Sequence, residues 1–317
     1  MKQILLTCDT EIGELSRDVD AAFDVFVLGR INGEQIGVPL INKIAKENGA
    51  IVNHFVDVYH PEYEQEFIAL CETILAEGHF VGLHTHPGSR FGKRYMYEYE
   101  IEEQKKILIW GKEWLFKNVG IDVTTHRAGG YGADSRIYPA LKETGFVQDS
   151  SFFYQAKECR MTYPYTNRIS FSHGVWEFPV TVYKERRFVL GREWRPIFRK
   201  LDFRYGSDTE TILGVVRKSP KDSILILFLH SFNFLAGTYN RKRKKFSEMT
   251  VDRRLIEEYQ RLLTGLRQMR DTKFVDFSCI RAGEHDCDFV DEVHTDVSVA
   301  ASLRSRLSAR IWREIPF

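Results

Sequence analysis

The chain has 317 residues, with 45 lysines and arginines against 44 aspartates and glutamates, and a formal net charge of +1. Hydrophobic residues make up 43% and charged residues 28%, which is typical of a folded globular protein and excludes a disordered chain. The near-zero charge excludes a globally basic nucleic-acid binder, so no nucleic-acid partner is expected. No apolar run approaches the roughly 18 residues that a transmembrane segment needs.

In chain order, apolar spacing and turn signals predict alternating strands and helices. The predicted strands cover residues 4–8, 50–56, 81–83, 123–125, 146–148, 176–182, 224–229 and 274–277. The predicted helices cover residues 38–46, 62–77, 98–118, 136–144, 209–217 and 251–270. This alternation predicts a parallel sheet with helical crossovers, either an open doubly wound sheet or a closed β/α barrel.

Polar side chains at the ends of five predicted strands favour the barrel. They are Asp9 and Glu11, His84 and His86, His126 and Arg127, Asp149, and His230. β/α barrels build their active sites from the carboxyl ends of several strands. A single crevice in an open sheet would use fewer strand ends.

Two segments fall outside this alternation. Residues 151–172 are rich in aromatic and small polar residues and predict a long loop over the barrel mouth. Residues 281–317 combine an acidic stretch with an amphipathic pattern over 297–313. We expect a barrel over residues 1–280 and, over 281–317, a C-terminal extension docked on it rather than a second domain.

The start of the chain and the cysteines favour a cytoplasmic location. The first apolar run is too short for a secretory signal and ends in acidic residues. The five cysteines are scattered and form no Cys-x-x-Cys pair. This pattern predicts neither a disulfide framework nor a thiolate zinc site.

Spacing within the strand-end residues indicates a metal site. Residues two apart on a strand share a face, so Asp9 and Glu11 form one pair and His84 and His86 another. Two carboxylates and two imidazoles suit zinc, manganese or iron. One carboxylate can then act as a general base. Any one of these side chains alone would be an ordinary polar strand end, but the four together favour the metal site.

The strand-end motifs resemble those of the polysaccharide deacetylase superfamily, also called the NodB homology domain. Residues 7–11 read Thr-Cys-Asp-Thr-Glu, where the family usually has Thr-Phe-Asp-Asp-Gly, and are similar to its Asp-x-Glu variants. Residues 84–88 read His-Thr-His-Pro-Gly, where the family has His-(Ser/Thr)-x-x-His. Either His86 takes the place of the missing second histidine, or the metal has fewer protein ligands.

Three further motifs extend the resemblance over residues 4–277. Residues 127–132, Arg-Ala-Gly-Gly-Tyr-Gly, fit the family's Arg-x-x-x-Tyr-Gly. Asp149 follows the next strand, as in the fourth motif. His230 ends a Leu-Phe-Leu-His segment that keeps the histidine of the family's Leu-x-His, with Phe in place of the leading Leu. The His-Thr-His-Pro spacing is similar to a branch associated with surface-polysaccharide gene clusters.

The resemblance implies a distorted (β/α)7-8 barrel and a role for each motif residue. It implies Asp9 as catalytic base, Arg127 as its orienting partner, His230 as general acid and Asp149 as support for His230. It implies Glu11, His84 and His86 as ligands of a divalent metal, zinc in the first place. The turn at Gly130 and Tyr131 would bind substrate, with a backbone N–H near Tyr131 facing the oxyanion; the paired glycines also fit an ordinary tight turn.

A basic, aromatic segment over residues 183–205 has two interpretations. Arg192 and Arg195 could bind the phosphates of an activated sugar. Alternatively, Trp194, Phe198 and Leu201 predict an amphipathic helix, docked on the barrel or in peripheral contact with a membrane surface.

Three functions stay open from the sequence. The first is a metal-dependent deacetylase acting on an N-acylated, nucleotide- or lipid-linked sugar in the biosynthesis of a surface glycan similar to O-antigen. The second is an amidase acting on a small non-sugar amide. The third is a carbohydrate-binding barrel without catalysis.

Overall fold

The computed structural model describes residues 1–13, 19–194, 196–202, 204, 207–237, 239–240, 245–246, 248–280 and 288–296. The strands of this part are β1 (Lys2–Thr10), β2 (Arg30–Ile31), β3 (Glu34–Gln35), β4 (Val52–Val56), β5 (Phe80–Thr85), β6 (Thr125–Ala128), β7 (Gln148–Asp149), β8 (Ser170–Ser172), β9 (Val175–Glu177), β10 (Val182–Val189), β11 (Arg192–Glu193), β12 (Ile197–Lys200), β13 (Ile224–His230), β14 (Leu235–Ala236), β15 (Tyr239–Asn240), β16 (Lys245–Phe246), β17 (Thr250–Val251), β18 (Thr272–Phe274) and β19 (Glu292–Asp296).

Helices connect most of the main strands. The α-helices are α1 (Val38–Glu47), α2 (Glu64–Ala76), α3 (Gly88–Phe91), α4 (Ile101–Val119), α5 (Ile137–Glu143), α6 (Thr209–Lys218) and α7 (Arg253–Gln268). Short helical turns lie at Phe23–Val27, Pro61–Tyr63, Met96–Glu98, Gly129–Tyr131 and Phe277–Cys279. Asp208 and Asp252 cap α6 and α7 by accepting backbone N–H bonds from Thr211 and Leu255.

The main sheet has the strand order β13-β1-β4-β5-β6-β7-β9-β8, and β18 pairs with the start of β1. Every pairing in it is parallel except β8 with β9. The adjacent strands β1 and β13 are buried along their whole length. Strands covered on both faces read as apolar runs, which is why the sequence pattern identified them. The parallel order brings the carboxyl ends of these strands to one rim.

The sheet is curled and open on one side within the described residues. The segment that follows β9 covers this side through two hydrogen bonds to β13. The backbone N–H of Ile226 donates to Thr181 Oγ1 at 2.8 Å, and that of Phe228 donates to the Leu201 carbonyl at 3.0 Å. The expected distorted barrel is therefore confirmed, with non-strand contacts completing its wall.

Alternation along the strands separates two apolar layers. Leu5, Phe55, Ile226 and Phe277 belong to a cluster on the concave face. Leu6, at the next position of β1, belongs to the larger cluster between the sheet and the helices. Because Asp9 is four residues after Leu5, it shares the concave face, and the functional site lies above the inner cluster.

The helix predicted around Trp194–Leu201 is wrong. The chain reverses direction after β10, and β10 pairs antiparallel with β11 and β12. The apolar spacing of Trp194, Phe198 and Leu201 fits a helix, but strand pairing with β10 satisfies this backbone instead. The predicted loop over residues 151–172 is largely irregular, with β8 at its end.

The described part of the predicted C-terminal extension is residues 288–296. Its strand β19 pairs parallel with β10. The predicted helix over 297–313 lies outside the described residues, and the domain boundary at residue 280 stays a prediction. Within the described parts of the chain, no helix has both the length and the apolar character to cross a membrane.

Candidate metal and catalytic site

Four strands bring the predicted residues to one rim of the sheet. Asp9 of β1 lies in register with His230 of β13. His84 of β5 lies in register with Arg127 of β6. Glu11 follows β1 directly, so the carboxyl ends of β13, β1, β5 and β6 surround one concave space.

Glu11, His84 and His86 form a cluster with the donor set of a metal site. One ligand atom from each lies within 4.8 Å of the others. Glu11 Oε2 is 3.3 Å from His84 Nε2 and 2.5 Å from His86 Nε2. These three atoms are buried and have no hydrogen-bond partner of normal geometry in the described chain. Buried polar atoms normally have partners, so the cluster fits a divalent metal with three protein ligands.

The orientation of His84 is that of a metal ligand. Its Nδ1 is 3.0 Å from the Arg127 carbonyl, an acceptor only, so Nδ1 carries the proton. This hydrogen bond leaves Nε2 facing the cluster as the donor atom.

The charges of the cluster also favour a cation. Burial alone would lower the pKa of His84, but Asp9 and Glu11 raise it to about 9. Burial alone would raise the pKa of Glu11, but His86 and His84 hold it well below its ordinary value. The negative charge that favours a protonated imidazole favours a metal ion in place of the proton, because imidazole must be deprotonated to bind metal.

The glycine turn after β6 fixes the position of His86. A Cβ atom on Gly129 would lie 2.4 Å from the His86 ring. The absence of a side chain at Gly129 therefore lets the imidazole pack against the backbone and reach Glu11. In the same turn, Gly130 and Tyr131 adopt positive φ values of 56° and 58°.

Asp9 is held by a fully buried arginine. Arg127 Nη1 donates to Asp9 Oδ1 at 2.7 Å and to Thr7 Oγ1 at 3.1 Å. The Arg127 guanidinium also donates to Ser150 and lies 4.1 Å from the centre of the Phe55 ring. Asp9 Oδ2 is 3.6 Å from His84 Nε2. Asp9 is thus beside the metal cluster with one oxygen fixed by Arg127 and the other facing the cluster.

His230 lies on the other side of Glu11. Its Nε2 is 3.8 Å from Glu11 Oε1, and its ring packs against Phe228 and Phe232. Burial lowers the pKa of His230 to about 4, and Lys200 contributes, while Glu11 and Asp9 act in the opposite direction. The imidazole is therefore neutral near pH 7 in this arrangement and must gain a proton before it can donate one as a cation.

The structure places Asp149 away from His230. Asp149 is in register with His126 on the neighbouring strand. Its Oδ1 is 2.8 Å from His126 Nδ1 and accepts from Ser151 Oγ. Arg127 faces the concave side, so its neighbour His126 and the in-register Asp149 face the helices instead. The expectation that Asp149 supports His230 is therefore wrong, because side chains alternate along a strand and Asp149 lies on the face opposite the site.

Several cations of the basic segment pair with carboxylates. Lys184 and Arg186 pair with Glu292, and Arg199 pairs with Glu185. Arg192 is exposed in β11. Arg195 lies outside the described residues.

Lys200 and Asp57 also lie beside the candidate site, and the sequence analysis named neither of them as a site residue. The ammonium of Lys200 lies 3.5 Å from the centre of the Phe228 ring, next to His230. Asp57 follows β4 and accepts from His60 across 2.9 Å. The position of Asp57 after a strand was a usable signal. The position of Lys200 was not a usable signal, because the local pattern fits a helix and does not indicate a strand that ends at the site.

Comparison with known proteins supports the fold. No protein-family model and no curated protein sequence matches the chain. A structure from Mycobacterium smegmatis, described as a polysaccharide deacetylase, is 16% identical, with a TM-score of 0.52 and coverage of 86% of this chain and 85% of that one. Puue allantoinase is 11% identical, with a TM-score of 0.54 and coverage of 87% and 88%.

A third similar structure is larger. The 4-alpha-glucanotransferase of Thermococcus litoralis is 10% identical, with a TM-score of 0.55, and the match covers 98% of this chain but 46% of that one. At these identities the comparisons establish the fold and leave the chemistry to the site. The sheet order, the curled barrel and these similarities show that the chain has a distorted β/α barrel fold of the polysaccharide deacetylase type.

Proposed function

We propose that the protein is a metal-dependent hydrolase that removes an N-acyl group, such as acetyl, from a sugar. The observation that carries this proposal is that a candidate metal cluster and a separate carboxylate lie side by side. Glu11, His84 and His86 present three buried donor atoms, and Asp9 stands beside them with one oxygen bound to Arg127. A metal site with an adjacent spare carboxylate suits hydrolysis of an amide bond.

The metal ligands in this proposal are Glu11, His84 and His86, with zinc as the first candidate. When bound, a divalent metal would polarise the acyl oxygen and the attacking water. Two imidazoles and one carboxylate leave open coordination positions, as catalytic zinc sites do.

The protein's own residues account for the proton transfers. Asp9, aimed by Arg127, accepts a proton from water as the C–O bond forms. His230, which is neutral near pH 7, takes up the proton that Asp9 has gained. It delivers this proton to the amine nitrogen as the C–N bond breaks, so the proton taken from water ends on the leaving amine. A backbone N–H of the turn at Tyr131 is available to the oxyanion.

We place the substrate among sugars carried by a nucleoside diphosphate or a lipid diphosphate in surface-glycan assembly, with the protein in the cytoplasm. The resemblance of the motifs and the similarity to a structure described as a deacetylase support the sugar. The exposed side chains of Leu190, in the β10–β11 turn, and Trp194, directly after β11, support a peripheral membrane contact.

Acetate release from N-acetylated sugars tests this proposal. Asp9→Asn should lower kcat by about 10²–10⁴-fold while the metal content stays unchanged, because the base is lost and the ligands remain. Asp122→Asn, at an exposed position, is the matched control. Full activity of Asp9→Asn would contradict the assignment of the base.

Because the fold is also similar to that of an allantoinase, the second arm of the test measures hydrolysis of a panel of small amides. Hydrolysis of small amides without acetate release from sugars would favour the amidase. Sugar binding without hydrolysis of any amide would favour a binding barrel without catalysis.

A further inference from the structure

Lys200 lies in a different place from three other ion-paired cations of its segment. Lys184, Arg186 and Arg199 pair with Glu292, Glu193 and Glu185, all within the small sheet of β10, β11, β12 and β19. Lys200 is the last residue of β12, where the chain crosses the open side of the barrel. Its side chain is 15% exposed and lies at the rim of the site.

Contacts with three described side chains hold the ammonium of Lys200. It is 3.3 Å from Asp202 Oδ2, 3.5 Å from Tyr131 Oη and 3.5 Å from the centre of the Phe228 ring. The same ring packs edge-on against His230 at 4.7 Å. One aromatic ring therefore separates Lys200 from the residue proposed as general acid.

The partner of Lys200 is a buried carboxylate. Asp202 is 1% exposed, and its Oδ1 accepts the backbone N–H of Arg204 at 2.9 Å. A buried ion pair is weak evidence for stability, because well-packed apolar residues often stabilise a fold equally well. Asp202 can instead hold the ammonium at a defined place on the Phe228 ring, where the cation contacts the electron-rich face.

We propose that Lys200 is a substrate-binding residue that contacts an anionic oxygen, phosphoryl or carboxylate, carried by the acylated sugar, and that Asp202 is its positioning residue. This inference rests on the proposed function and deepens it by assigning the anionic group to Lys200 rather than to Arg192 or Arg195. An ammonium is a compact charge that binds phosphate and carboxylate oxygens. Its position next to the catalytic groups brings that anion close to the scissile amide.

Binding of a matched pair of sugars tests the inference. We would measure, by calorimetry, the affinity of the metal-loaded protein for N-acetylglucosamine 1-phosphate and for N-acetylglucosamine. The wild type should prefer the phosphorylated sugar. Lys200→Met should raise its Kd at least about tenfold and leave the neutral sugar within about twofold. N-acetyl sugar acids, compared in the same way, separate a carboxylate from a phosphate as the anion.

Two further variants keep the test decisive. Lys200→Met leaves Asp202 without this partner, so Lys200→Met/Asp202→Asn removes both charges and should show the same selective loss if the fold is intact. Arg199→Met removes a positive charge from the adjacent position of the same strand and should leave both affinities unchanged. With a hydrolysed substrate, the loss should appear in KM rather than kcat.

The outcomes separate this inference from the proposed function. If the wild type releases no acetate from any sugar, the proposed function fails, and the binding measurements still test Lys200. Equal weakening of both sugars, an unchanged Kd in both Lys200 variants, a fall in kcat alone, or no preference in the wild type would each overturn the inference.

Discussion

Gly129 determines whether His86 can reach the metal cluster. Because a Cβ atom there would lie 2.4 Å from the imidazole, Gly129→Ala must displace the ring from Glu11. We expect this variant to lose metal affinity by about 10–100-fold, the range found when the support of a ligand is removed. Competition with a coloured chelator measures the loss.

The control for this change is Gly214→Ala. A Cβ atom on Gly214, in α6, meets no atom within 4 Å. This variant should bind metal as the wild type does. Equal affinity in Gly129→Ala and Gly214→Ala would show that His86 does not depend on the glycine turn.

At the scale of single residues, the sequence predicted the members of the site better than their partners. Asp9, Glu11, His84, Arg127 and His230 were found because polar side chains at the ends of apolar runs stand out. The partner of Asp149 was not predicted, because the register between β6 and β7 depends on tertiary packing. That register places Asp149 beside His126 on the helix-facing side.

His54 connects elements of the fold. Its Nδ1 is 2.8 Å from Thr10 Oγ1 of β1, and its Nε2 is 2.8 Å from Asn42 Oδ1 of α1. Burial, with a contribution from His79, lowers the pKa of His54 well below its ordinary value. The unfolded chain therefore binds a proton that the folded chain does not, and stability that is full above about pH 6.5 is lost as the pH falls through the folded pKa.

We expect His54→Gln to weaken the acid dependence of stability. The free energy of unfolding should fall less steeply below about pH 6.5 than in the wild type, by up to about 1.4 kcal/mol per pH unit. Urea unfolding between pH 8 and 5 measures this slope. The exposed His294→Gln is the control, and identical slopes in His54→Gln and the wild type would contradict the account.

Asp288 connects the described C-terminal segment to the loop before β8. Its Oδ1 accepts backbone N–H bonds from Asn167 at 2.8 Å and from Arg168 at 3.1 Å. Asp288→Ala should loosen this loop and reduce stability by about 1 kcal/mol. Limited proteolysis should cut residues 151–169 faster than in the wild type or in the exposed control Asp122→Ala, and an unchanged cleavage rate would argue against the connection.

The segment around β12 shows why some elements escape sequence analysis. Trp194, Phe198 and Leu201 have helical spacing, yet β12 pairs with β10. Strand preference depends on neighbours that are distant in sequence, so a local pattern cannot decide it. The same local pattern gives no indication that Lys200 lies beside the site, because its location depends on how the chain crosses the open side of the barrel.

At the scale of the whole molecule, the metal would join the ends of β1 and β5. A ligand that binds only the folded state stabilises it, by about 2.7 kcal/mol at a free concentration one hundred times Kd. We therefore expect a chelator to lower the Tm of the wild type. Glu11→Gln should have a Tm that does not respond to the chelator, as thermal scans can measure, and an equal shift in both proteins would contradict a site at Glu11.

The parallel order of the main sheet was predictable from strand–helix alternation, and the strand-end residues favoured a barrel, but the contacts that complete the barrel wall were not predictable. The apolar runs identify buried strands, and helical spacing identifies the crossovers between them. The open side is completed by single hydrogen bonds from Ile226 and Phe228 to Thr181 and Leu201, which lie outside the observed strands. Such contacts depend on the folded shape and leave no periodic signal in the sequence.

The most direct test of the central claim is the metal content of protein purified without chelator. Elemental analysis of the wild type should find about one divalent ion per chain, as expected for a site with three protein ligands. His86→Ala should lose most of it, while His294→Ala should keep it. A wild type without metal, or a His86→Ala variant as fully loaded as the wild type, would contradict a metal centre built from Glu11, His84 and His86.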